Sequence, residues 1–172
     1  AIFDTTKLDY LNSQHMANLP LDKYKEELEP FMTKNGIDMN SHTKLDLLIE
    51  SMRSSAYTFS GVAENLKCYF QEINSYNQKA IEKFIGTSPN ILSDLYDLIQ
   101  KLDDWNEDAL DNLLSTYRNK NELSVPKVNQ PLRIALTGST NSPSLGMTLY
   151  LFKKDEVLKR IKKLITFIEQ DN

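Results

Sequence analysis

The stretch VLKRIKKLITFI, Val157–Ile168, decides the fold class. At about 100° per residue, Val157, Leu158, Ile161, Leu164, Ile165 and Ile168 fall within an arc of roughly 120°. Lys159, Arg160, Lys162 and Lys163 occupy the rest of the circumference. A half-buried strand would alternate with a period of two, and this stretch does not. The spacing predicts an amphipathic helix, which needs partner helices to cover its apolar stripe.

The rest of the chain supplies them. Between Leu21 and Asn35, Leu21, Tyr24, Leu28, Phe31 and Met32 recur at spacings of three and four. Asp22 is the expected N-cap, Gly36 a left-handed stop, and Pro30 a kink or break. Ser41 precedes the stripe Leu45, Leu48, Ile49 and Met52, and Ser60 is expected to open a helix bearing Val62, Leu66, Tyr69 and Phe70. Ser88-Pro89 pairs an N-cap serine with proline at the first helical position, ahead of Ile91, Leu92, Leu95, Leu98, Ile99 and Leu102. Asn106 caps a helix with Glu107 and Asp108 at its positive end and Leu110, Leu113, Leu114 and Tyr117 facing inward. From Ser124 or Val125 a short helix should run through Leu132 and Leu136, interrupted by Pro131. Leu149–Phe152 is the one strand candidate, and it is too short amid helical neighbours. The fold read from these patterns is all-α: two small helical bundles in tandem, divided between about Ser75 and Pro89, where polar residues, Gly86 and proline cluster.

Composition narrows the function. The chain has 172 residues, 40 % hydrophobic and 26 % charged, which excludes intrinsic disorder and low-complexity classes. No apolar run approaches the roughly 18 residues of a membrane span, and no signal-peptide pattern opens the chain. Cys68 is the only cysteine, so intramolecular disulfides and multi-cysteine metal sites are excluded, and a cytoplasmic setting is expected. The net charge of −4 hides an asymmetry. Residues 1–117 carry 19 Asp and Glu against 10 Lys and Arg, whereas residues 118–172 carry 5 against 10. A basic C-terminal third points to an anionic partner, or simply to a solvated helix face.

Catalytic patterns are absent. His15 and His42 lie apart, with no HExxH, and the sequence has no GxSxG, P-loop or GxGxxG. Cys68 among Leu66, Tyr69 and Phe70 reads as an inert thiol, and Asp103 and Asp104 beside Trp105 read as capping and solvated groups, so no metal site is expected. The segment PLRIALTGSTNSPSL, Pro131–Leu145, differs from the rest. It places Arg133 on a short helix and follows it with small polar residues around Gly138 and Pro143. Such a loop presents backbone groups and hydroxyls to unstacked bases, Arg133 offers a planar fork, and Pro143 and Leu145 offer apolar faces for stacking. A structural turn holding a buried arginine would have the same sequence signature.

This segment, extended to QPLRIALTGSTNSPSL, Gln130–Leu145, resembles the signature loop of the C-terminal anticodon-binding region of bacterial glutamyl-tRNA synthetases, which are class I enzymes. FDTTKLDYLNSQH (Phe3–His15), LDKYKEELEPFMTKNGID (Leu21–Asp38) and DDWNEDALDNLL (Asp103–Leu114) are similar to further stretches of that family, in the same order. Tyr10, Ser13 and His15 depart from the family's usual Trp, Gly and Tyr.

The resemblance implies an anticodon-binding superdomain cut from a longer glutamate–tRNA ligase. Residues 1–20 would be the remnant of the connection to a catalytic body, with Phe3, Leu8 and Leu11 partly exposed. Residues 21–80 would form a first helical subdomain, and 81–172 a second carrying the anticodon loop. It implies tRNA(Glu) as partner, with ATP and Mg2+ used by the parent enzyme, no cofactor in this segment and no catalysis by the segment alone; a cytoplasmic monomer is expected. It implies anticodon contacts for Arg133, Ser142, Pro143 and Leu145. It also puts Ser55 where discriminating members carry an arginine that reads the third anticodon base. Serine lacks the bidentate donors that exclude guanine, so tRNA(Gln) is expected as a second substrate. Lys159, Arg160 and Lys163 are assigned to sequence-independent phosphate attraction. From a different class, a helical protein–protein interaction module whose basic last helix docks on an acidic partner remains the alternative.

Overall fold

The structure is a computed structural model that describes residues 4–86 and 89–171, and every regular element among them is helical. The expected all-α class is what forms. The chain divides into two compact units, Ala1–Glu72 and Ile73–Asn172.

The first unit contains α1 (Thr5–Asn18), α2 (Leu21–Lys34), α3 (Leu45–Met52) and α4 (Phe59–Phe70), with a single 3₁₀ turn at Met39–Ser41. Helix α2 packs on both α3 and α4. Its Tyr24, Leu28 and Met32 are fully buried, each worth about 1.5–3 kcal/mol of removed apolar surface. Gly36 takes φ +71°, and the Ile37 amide reaches back to the Met32 carbonyl at 3.0 Å, so the helix stops where the sequence indicated. Three local expectations fail here. Asp22 does not cap α2: the cap is Pro20, without a side-chain bond, and Asp22 lies within the first turn. Pro30 neither breaks nor ends α2, because it lies on the exposed face, where water can satisfy the carbonyl one turn before it. The cap of α4 is Thr58 rather than a residue at Ser60: its hydroxyl accepts from the Gly61 amide at 3.0 Å. Helix α1 leaves Leu8 and Leu11 half exposed, as the resemblance implied; Phe3 lies outside the described residues.

The second unit contains α5 (Gln78–Phe84), α6 (Asn90–Gln100), α7 (Glu107–Lys120), α8 (Val125–Thr137), α9 (Leu145–Leu151) and α10 (Lys154–Gln170). Helix α8 is the hub, in contact with α5, α6, α7, α9 and α10, and α10 also packs on α6. Helices α8 and α10 pack together, and Val128, Leu132, Ile134, Ala135 and Leu136 of α8 and Val157, Ile161 and Leu164 of α10 are all fully buried. Pro131 does not interrupt α8. The helix runs continuously through it, and the proline ring is itself buried, so packing offsets the single lost backbone bond. Ser88 lies outside the described residues, and α6 is described from Asn90 with Pro89 at its cap. Asn106 caps α7 by accepting from the Ala109 amide at 2.9 Å. The Trp105 indole donates to the Phe152 carbonyl at 3.0 Å, joining the start of α7 to the α9–α10 corner. Leu149–Phe152 belongs to the end of α9 and its cap, not to a strand.

Candidate nucleic-acid interface

The loop between α8 and α9 is held at both ends. Gly138 closes α8 in the left-handed conformation, φ +75°, donating its amide to the Ile134 carbonyl at 2.9 Å. Any Cβ there would stand 3.2 Å from the Ser75 carbonyl oxygen and from Ile73, so both the conformation and the crowding disfavour a side chain. The Gly138 carbonyl in turn accepts from the Asn77 amide at 3.3 Å, while the Asn77 side chain caps α5. Thr137 folds its hydroxyl onto the Arg133 carbonyl at 2.8 Å and receives the Ser139 amide at 3.3 Å.

Arg133 is half buried and spans the loop. Its Nε donates to the Ser142 hydroxyl at 2.9 Å, and a terminal guanidinium nitrogen donates to the Pro143 carbonyl at 3.2 Å. Thr148, fully buried, places its hydroxyl 3.0 Å from the Ser144 carbonyl and 3.1 Å from the Ser142 hydroxyl. Ser144 caps α9 through the Met147 amide and reaches Glu107 at the start of α7 at 3.3 Å. The loop is therefore a braced arch. Asn141 stands exposed at its crown, with Ser139 and Thr140 half exposed beside it. At Gly146, where α9 meets α7, a Cβ would displace the exposed Asp111 carboxylate.

The structure brings Arg133, Ser142 and Pro143 together in one hydrogen-bonded group. Leu145 is not available as a stacking face: it is only 3 % exposed and anchors α9 in the core. That expectation is corrected, because the first apolar residue of a short helix is more stable buried than wet. Arg160 is corrected for a similar reason. It is 6 % exposed, donates from Nε to Glu156 at 2.8 Å and from a terminal nitrogen to the Leu136 carbonyl at 2.7 Å, and lies 4.5 Å over the Phe152 ring. A guanidinium so enclosed is a brace for the C-terminal end of α8, not a phosphate contact. Lys159, Lys162 and Lys163 are exposed on the outer face of α10, and Lys163 donates to the Ile73 carbonyl at 2.7 Å. Ser55 is exposed in the first unit, where both its carbonyl and its hydroxyl accept from the Asn65 amide, at 3.1 and 3.3 Å.

Thr148 and Thr137 were missed by sequence reasoning. Their signal was positional: Thr137 ends α8 and Thr148 stands in the first turn of α9, and each hydroxyl bonds back to the carbonyl four residues earlier. Among the described residues no three His, Cys, Asp or Glu side chains converge to hold a metal ion. Among them, too, no helix is long and apolar enough to cross a membrane.

The sequence profile described as the anticodon binding domain matches residues 23–165. The chain belongs to the anticodon-binding-domain family. Its relatives include the glutamate–tRNA ligase of Myxococcus xanthus, 33 % identical over 167 residues, and that of Buchnera aphidicola, 29 % identical over 165. The alignments take in 96 % and 95 % of this chain but 35 % of each relative, so this anticodon-binding domain spans about a third of their length. A solved glutamate–tRNA ligase from Elizabethkingia meningosepticum superimposes with a TM-score of 0.84 over 96 % of the domain and 33 % of that chain. At 22 % identity, that likeness is one of fold.

Proposed function

We propose that this domain reads the anticodon of tRNA(Glu) as part of a glutamate–tRNA ligase. The observation that carries the reading is the clasp of Arg133 on Ser142 and Pro143, which fixes the arch bearing Ser139, Thr140 and Asn141 on a family fold for anticodon binding. A rigid arch can match base edges without a large ordering cost, and binding energy gained far from the reacting atoms then selects and positions the substrate. Arg133 acts by shaping the arch and supplies cationic charge close to the RNA backbone. Lys159 and Lys163 add sequence-independent attraction from α10.

The ligation itself, with its ATP, Mg2+ and glutamate, belongs to the parts of the parent enzyme beyond this chain, which is inactive alone. Ser55 offers a short hydroxyl where a long bidentate donor would be needed to reject guanine, so the parent charges tRNA(Gln) as well as tRNA(Glu). We assign a cytoplasmic, monomeric parent.

The test is fluorescence anisotropy with a labelled anticodon stem-loop of tRNA(Glu). Arg133→Ala is expected to weaken binding by about 1.5–3 kcal/mol, the range of a charge-assisted hydrogen bond, because the arch loses its clasp. Undiminished affinity, with the fold intact, removes Arg133 from the interface. Charging of tRNA(Glu) but not tRNA(Gln) by the parent enzyme would sink the Ser55 reading.

A further inference from the structure

Helices α6 and α7 both rest on α8, and an open groove of about 730 Å³ runs between them. Its apolar surface repeats at one-turn intervals on both walls. Leu98 and Leu102 stand four residues apart on one side, and Ala109, Leu113 and Tyr117 on the other. Leu98 is 40 % exposed, which is high for a leucine in a helix whose Leu92, Leu95 and Ile99 are fully buried. The Tyr117 hydroxyl donates to Asp94 at 2.7 Å, tying the two walls at one end. Exposed Asp94 and Asp97 line the α6 rim, and Lys120 lies across from them.

Charge says what fits. Residues 90–120, which span both helices, hold seven Asp and Glu against Lys101, Arg118 and Lys120, and two of the acids, Asp94 and Asp97, line the groove itself. That face repels an RNA backbone, in contrast to the lysines of α10 in the same unit. We propose that the α6–α7 groove is a docking site for a basic amphipathic helix of another protein, one presenting apolar side chains a turn apart flanked by Lys or Arg. Apolar knobs at i and i+4 seat between the paired ladders, and the flanking cations meet Asp94 and Asp97. This surface is separate from the α8–α9 arch and goes beyond anticodon recognition.

The probe is a labelled Leu/Lys/Ala peptide of about five helical turns with leucines at i, i+4 and i+7, measured by anisotropy against the whole chain. A scrambled peptide of the same composition is the control. The patterned peptide is expected to bind at least about tenfold tighter than the scrambled one. Asp94→Asn with Asp97→Asn should weaken it about five- to tenfold, with Asn at 94 keeping the acceptor for Tyr117. Leu98→Ser should weaken it about tenfold, and Lys120→Glu should tighten it about two- to fivefold. Anticodon stem-loop binding should not change in any of these variants. Equal binding of the scrambled peptide, indifference to all of the substitutions, or competition between peptide and stem-loop would overturn the proposal. Lys120→Glu and Leu98→Ser alter exposed positions, so the proposal stays testable even if the double variant unfolds.

Discussion

Arg160 gives the sharpest separation between a structural and an RNA-binding role. Its guanidinium donates to the carbonyl of fully buried Leu136, and such a charge-assisted bond is worth about 1.5–3 kcal/mol. Stacking over Phe152 at 4.5 Å adds about 1 kcal/mol, and the pair with Glu156, whose side chain is 35 % exposed, adds about 0.5 kcal/mol. Truncation to alanine also leaves the Leu136 carbonyl buried without its donor. Arg160→Ala should therefore cost the second unit about 3–5 kcal/mol, a large share of a typical domain's stability. Arg160→Lys keeps the charge but not the fork, and should cost about 1–2 kcal/mol. The assay is urea unfolding followed by tryptophan fluorescence. Trp105 is the only tryptophan, and its indole is bonded to the carbonyl of the same Phe152 that Arg160 covers. Far-UV circular dichroism on the same samples reports both units, so a transition confined to the second shows as a lower midpoint by fluorescence alone. A loss below about 1 kcal/mol, together with a shallower salt dependence of stem-loop binding, would refute the reasoning and return Arg160 to the RNA surface.

Gly138→Ala should destabilise the second unit by about 1–2 kcal/mol, since alanine must take φ +75° against Ser75, and should weaken stem-loop binding; an unchanged midpoint with unchanged affinity contradicts the bracing of the arch. Burial and the Asp94 partner push the Tyr117 phenol up to about 12, so the folded state holds its proton where the unfolded chain loses it near 10. That contribution is intact below pH 10 and lost as the pH rises towards 12. Tyr117→Phe should flatten the fall in fluorescence midpoint across that window, and an unaltered slope would count against it. Lys159→Ala with Lys163→Ala should lower the slope of log affinity against log salt by about 1–2, with similar losses for cognate and scrambled stem-loops. A sequence-dependent loss would make them base-reading residues instead.

The helices were legible because their stripes are long and their caps conventional, as at Asn106 and Gly36. The prolines break neither helix, against the interruption expected at 131 and the kink or break expected at 30. Sequence shows the missing amide, but not that one proline faces water and the other fills a core space. Arg160 failed for a different reason. At about 100° per residue it lies beside Leu164 and three residues after Val157, well placed for burial, and its charge concealed this. The buried arc of α10 is rotated towards Arg160, leaving Leu158 and Ile165 only half buried. At the arch, the grouping of Arg133 with Ser142 and Pro143 could be anticipated from the resemblance. The inward turn of Leu145 and the bracing by Thr148 could not, because both depend on how α9 seats on α7.

The residues just after the division between the units are pinned at three points. Ile73 receives Lys163, Ser75 abuts Gly138, and the Asn77 amide bonds to the Gly138 carbonyl. This stretch is therefore not slack tether. A chain begun at residue 81 would lose those anchors and leave the Gly138 carbonyl and the Lys163 ammonium to water, loosening one foot of the arch while every loop residue remained. Tension applied at Ile73 would likewise pass through these contacts into the C-terminal end of α8 and the middle of α10.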